Sequence, residues 1–118
     1  MISKFGIELR KFRATKGESL RQMASKLGIS AAFLSAMEVG RKPIPTDYAK
    51  RIKDLYDLSE EDYTNLYNSI METNQHVEIE IDKMNEAQKE VSLVFARKIE
   101  TADPELIEKL RKALLEED

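Results

Sequence analysis

Ser19–Gly40, SLRQMASKLGISAAFLSAMEVG, is the stretch whose reading decides the fold. Leu20, Met23, Ala24 and Leu27 recur at helical spacing up to Gly28, and Phe33, Leu34 and Met37 resume the period beyond it. Two short helices pivoting about a tight turn follow from that pattern. Ser19 and Ser30 each precede one of them and can accept a hydrogen bond from a backbone N–H of its first turn. Gly28 stands where the chain leaves the first helix, a place that usually demands a positive φ, which glycine adopts without a Cβ clash. Ile29 can then plug the angle between the helices.

Toward the N-terminus, Ser3 can cap a helix running to about Thr15, with Phe5, Leu9 and Phe12 as its buried stripe, and Lys16-Gly17 stops it. Arg10, Lys11, Arg13 and Lys16 crowd its last turns, where cations complement the helix dipole. Beyond Gly40, Arg41-Lys42-Pro43-Ile44-Pro45 reads as a loop stiffened by two prolines. Thr46 or Asp47 starts a fourth helix with Tyr48, Ile52 and Leu55 inward. Ser59 opens a fifth, resembling a capping box with Asp62, and Tyr63, Leu66, Tyr67, Ile70 and Met71 form its stripe.

From Asn74 the period changes. His76–Asp82 alternates apolar and polar residues, the pattern of one half-buried strand, and no second strand is visible. Such a strand pairs with its copy in another subunit, pairs with a different protein, or serves unpaired as a linker. Asn85 with Gln88 can cap a sixth helix carrying Ala87, Val91, Val94, Phe95 and Ile99. Asp103-Pro104 supplies a cap and a first-turn proline for a seventh, with Leu106, Ile107, Leu110, Ala113 and Leu114 on one face. A two-helix unit has little core of its own, so these stripes are expected to be buried against the first domain, a second subunit or another protein.

The 118-residue chain carries a net charge of −3, an average that conceals a division. Met1 to Lys53 holds twelve Lys/Arg against four Asp/Glu, a net +8, and Asp54 to Asp118 holds seven against eighteen, a net −11. The basic half suits the phosphates of nucleic acid, and the acidic half is expected to be held away from them. There is no cysteine and His76 is the only histidine, which excludes disulfides and thiolate metal sites and leaves no grounds for a metal, a cofactor or the usual nucleophile arrangements. The four glycines are scattered and form no phosphate-binding loop. No active site is legible, and the chain is read as a non-enzyme. Charges interrupt the N-terminus before a signal-peptide core develops, and no apolar run is long enough for a bilayer, so a soluble, cytoplasmic protein without membrane attachment is expected.

The central stretch resembles the helix-turn-helix of the Cro and phage-repressor family, also called XRE-like. The family's pattern appears as Met23-Ala24, Leu27-Gly28-Ile29-Ser30, and Leu34-Ser35-Ala36-Met37-Glu38-Val39-Gly40, with Met in place of Leu the one departure there. The resemblance spans about residues 3 to 73. Joined to the reading of the remaining residues, it gives an all-α protein. A five-helix lambda-repressor-like domain would occupy 1–73, an extended segment or linker 74–84, and a C-terminal two-helix region for dimerisation or partner binding 85–118.

By resemblance, the helix from about Ser30 to Val39 lies in the major groove of double-stranded DNA while the preceding helix crosses the backbone. Helical spacing and the resemblance together make Ala31, Ala32, Ser35 and Ala36 the base-facing positions, with Val39 nearer the edge and Phe33 open between groove and core. Three of the four are alanines, which offer only apolar contact, so readout is expected to lean also on DNA shape and on flanking side chains. Phosphate-facing roles fall to Arg41 and Lys42, and to Arg10, Arg21 and Lys26. Leu20 stands where relatives often carry a glutamine that touches phosphate, and that contact is not carried over. The resemblance also implies an ion pair between Arg13 and Glu38, structural in role.

The function expected is that of a dimeric, sequence-specific repressor of phage or mobile-element type on a palindromic operator. The alternatives are an antitoxin that neutralises a basic toxin and regulates its own operon, a repressor removed by a metallopeptidase, and an interaction adaptor that no longer binds DNA.

Overall fold

A computed structural model describes residues 1–116. Seven α-helices follow one another among them: α1 (Lys4–Lys16), α2 (Leu20–Leu27), α3 (Ala31–Glu38), α4 (Tyr48–Tyr56), α5 (Glu60–Asn74), α6 (Glu86–Lys98) and α7 (Pro104–Leu115), with a turn of 3-10 helix at Ile99–Thr101 after α6. The chain divides into two compact units, Met1–Glu78 and a second beginning at Ile79.

Helix starts follow the capping chemistry. Ser3, Ser19, Ser30 and Ser59 accept from the backbone N–H of Gly6, Gln22, Phe33 and Asp62, each offsetting an unsatisfied donor at a helix start. Ser19 with Gln22 completes a capping box, as does Asn85 with Gln88. At α5 only the Ser59 half of the box is made. Asp47 precedes α4 in helical conformation and makes no side-chain cap.

In the first unit α1 packs on α3 and α5, α2 on α3 and α4, and α4 on α5. Phe5, Leu9, Met23, Leu27, Leu34, Met37, Ile44, Ile52, Leu66 and Ile70 are fully buried at the centre. Each buried aliphatic or aromatic side chain of this size contributes on the order of 1.5–3 kcal/mol. Phe33 is half-buried against this core, which places its ring on the core side of α3.

One expectation is corrected. On α4 it is Tyr56 that turns inward, while Leu55 is 46% exposed. The Tyr56 hydroxyl donates to the Glu18 carboxylate at 2.6 Å, an anchor outside α4 that holds this phase of the helix. Residues 77–81 form no strand within the chain, in keeping with the extended segment or linker expected over 74–84, and no strand exists among the described residues. A strand requires a ladder partner for its backbone groups, and the described residues offer none. The first compact unit also extends beyond Thr73. Asn74 closes α5 with a side-chain amide that accepts from the Ile44 N–H at 2.9 Å and donates to the Ile44 carbonyl at 2.8 Å. The Thr46 hydroxyl donates to Glu78 at 3.3 Å.

The second unit is built differently. α6 and α7 are regular and capped, yet no residue between Ile79 and Glu116 is buried.

Candidate nucleic-acid interface

The interface candidate is built on α2, the turn at Gly28–Ser30, α3 and the loop after it. Gly28 has φ +73°, a left-handed conformation that a side chain would strain. Its N–H and that of Ile29 return to the carbonyls of Ser25 and Ala24, so the last turn of α2 is closed before α3 departs. Leu34 and Met37 are fully buried. α3 is thereby pinned by one face with the opposite face outward.

A second constraint fixes the far end of α3. Glu38 is 3% exposed, and its carboxylate accepts from Arg13 Nη1 at 2.5 Å and Nη2 at 3.1 Å. Arg13, itself 8% exposed, also rests against the Met23 sulfur at 3.3 Å. The Glu38 carbonyl accepts from both the backbone N–H and the hydroxyl of Ser3, at 2.9 and 2.8 Å. Gly6 lies so close that a Cβ there would stand 2.4 Å from the same carbonyl oxygen. The start and the last turn of α1 therefore both grip the end of α3, and a buried, bidentate charge-assisted pair holds the joint. Arg10 reaches the same carboxylate, its Nε 4.0 Å from Glu38 Oε1, with its side chain 62% exposed.

On the outward face Ala32 and Ser35 are exposed and Ala36 is half-buried, while Ala31 packs partly against the core. Arg41 and Lys42 are exposed in the loop directly after α3, and neither has an ion-pair partner among the described residues. The Arg41 N–H returns to the Ala36 carbonyl at 2.9 Å, and the grip of Asn74 on Ile44 holds the loop from its other end. Arg21 is exposed on α2 and unpaired in the same sense.

Lys26 is engaged elsewhere. It pairs with Glu18 and lies 5.2 Å from the centre of the Tyr56 ring, so its charge is already held within the fold. Glu18 joins Lys26 and Tyr56, and the hydrogen bonds from Lys26 and then Tyr56 hold its carboxyl below the usual range. Burial, followed by the bond to Glu18, pushes the Tyr56 phenol up. Arg51 donates to the Leu27 carbonyl at the end of α2 and stacks 4.7 Å over the Tyr48 ring.

Sequence reading missed the Ser3, Asn74, Glu18 and Arg51 contacts. Each joins residues at least 24 apart in the chain. The capping role of Ser3 was visible, but its second bond was not.

What this surface presents is a short, rigidly held helix with small outward side chains, flanked by free cations. Such a helix can enter a groove closely while Arg and Lys meet phosphates on either side. Among the described residues no three His, Cys, Asp or Glu come together as metal ligands, and no helix is long and apolar enough to cross a membrane. Residues 4–66 match the family model described as a helix-turn-helix domain. No curated protein and no solved structure matches the chain.

Proposed function

We propose, from the premise that the chain belongs to the helix-turn-helix domain family, a domain type found in XRE-like regulators, that it is a dimeric repressor working in the cytoplasm on a palindromic operator. The domain itself is that of a DNA-binding regulator. The observation that carries the proposal is the α3 face: Ala32, Ser35 and Ala36 point outward from a helix locked at both ends, beside the unpaired Arg41 and Lys42. In the major groove, Ser35 reaches a base or phosphate and the alanines lie against thymine methyl groups. Arg41, Lys42 and Arg21 meet phosphates and set the register. Two copies reading half-sites about 34 Å apart occupy an operator and obstruct polymerase.

Selection of binding sites from random duplex DNA tests this. An enriched inverted repeat whose affinity falls steeply with salt is the expected result, and Arg41→Ala lowers the salt slope by about one unit. No enrichment in either dilute or moderate salt overturns it.

An antitoxin is the second reading, favoured by the net −11 of Asp54–Asp118, which suits a basic toxin.

A further inference from the structure

α6 and α7 carry apolar stripes and complete N-terminal caps, yet leave an open groove of about 340 Å³ between them, lined by Val91, Val94, Phe95 and Ile99 on one side and Leu106 and Leu110 on the other. Val91 is 67% and Leu106 43% exposed. Continuous apolar surface of this kind on a soluble protein is ordinarily a docking face.

Two charged side chains share the lining and decide what fits. Glu90 lies toward the N-terminal end of α6 and Lys98 closes its C-terminal end. Neither has an ion-pair partner among the described residues. Eight helical residues separate them, about 12 Å, with Val94 midway. Glu86 in the first turn is already paired with Lys89, so Glu90 is the unpaired acid of that end, and Arg97 stands beside Lys98 in the last turn.

A helix face that is acidic at one end, basic at the other and apolar between them matches its own copy when the two run antiparallel. Rotation about a two-fold axis near Val94 sets Glu90 of one copy against Lys98 of the other, and repeats that pair on the other side of the axis. Val91 and Phe95 then pack around the axis, and Leu106 and Leu110 of each α7 close over the neighbouring α6. A uniformly basic partner would meet Lys98, and a uniformly acidic one Glu90. We infer that the α6–α7 groove is the face on which a second copy of this chain docks, α6 against α6 and antiparallel, to form a four-helix interface. The inference rests on the dimeric part of the reading above and names its surface.

Sedimentation equilibrium of the full chain without DNA is the test. The wild type is a dimer and Val94→Glu, which puts two charges at the axis, is a monomer. Charge reversal guards against a helix that merely fails to fold. E90K and K98E each weaken the dimer about tenfold by opposing like charges at both symmetric sites, and E90K/K98E together return it to within about twofold of wild type. A monomeric wild type, single reversals without effect, or a double variant as weak as the singles would overturn the inference. So would a wild-type monomer that takes up polylysine one to one, the result expected of a face made for a basic partner. DNA binding is read separately: a dimer that binds no DNA retires the regulator and keeps this interface, and a monomer that binds DNA does the reverse.

Discussion

The two units of this chain use the same local grammar and reach opposite results. α1, α2, α3, α5, α6 and α7 all begin with a side-chain cap, and α6 has a complete capping box like that of α2. Yet the first unit centres on ten fully buried large side chains, and the second, from Ile79 to Glu116, buries none. Caps and periodicity make a helix and say which face is apolar. They do not supply the surface that covers it. In the first unit five helices cover one another, with two buried charges at the joint. In the second, two helices have too little surface between them to do so.

The comparison breaks most sharply on matched substitutions. Phe5→Ala, which removes a fully buried ring, is expected to cost the first unit about 4 kcal/mol. Phe95→Ala, at a half-buried position, should leave that unit's unfolding midpoint within about 0.5 kcal/mol. Denaturant unfolding of both variants, followed by the tyrosine signal of the first unit, checks the contrast, and equal losses would sink it.

Ion pairs sharpen the same point. Arg13→Ala strands the buried Glu38 carboxylate and is expected to cost about 3 kcal/mol in thermal unfolding, while weakening DNA binding through the freed end of α3. Lys109→Ala, which breaks a pair with Glu105 exposed on the surface of α7, should change stability by less than about 0.5 kcal/mol. An Arg13→Ala protein as stable as wild type would remove the joint from the account of how α3 is held.

The smallest effect is in the acid limb. The Glu18 carboxyl is held low in the folded state by Lys26 and Tyr56. Its contribution is therefore present at neutral pH, above the unfolded value, and is lost in the acid range as pH falls through the lowered folded one. Glu18→Gln should lower stability near pH 7 and flatten part of that acid decline. Melting curves across this range show it, and a variant with an unchanged slope would place the acid sensitivity elsewhere.

Much of the candidate site was legible because its signals are local. Ser19, Gly28 and Ser30 act on backbone within a few residues of themselves, and Leu34 and Met37 declare the inner face of α3 by their spacing. Alanine at 31, 32 and 36 was equally plain, but the packing of Ala31 toward the core was not, since a small residue fits either face. Lys26 looked like a free cation because Glu18, eight residues away in sequence, and Tyr56, in α4, are brought to it only by folding. The apolar alternation at 77–81 had the period of a strand, but period alone provides no ladder partner.

By itself the sequence determined the helices, their caps, the turn at Gly28 and the membership of residues 4–66 in the helix-turn-helix family, all of which depend on neighbours along the chain. Only the tertiary structure decided that Ser3 and Arg13 both hold Glu38, that Asn74 closes on Ile44, and that Tyr56 rather than Leu55 turns inward. It likewise decided that the stripes of α6 and α7 do not close over each other but line an open groove. These depend on which surfaces meet across long stretches of chain, and an apolar period specifies a buried face without specifying the face that buries it.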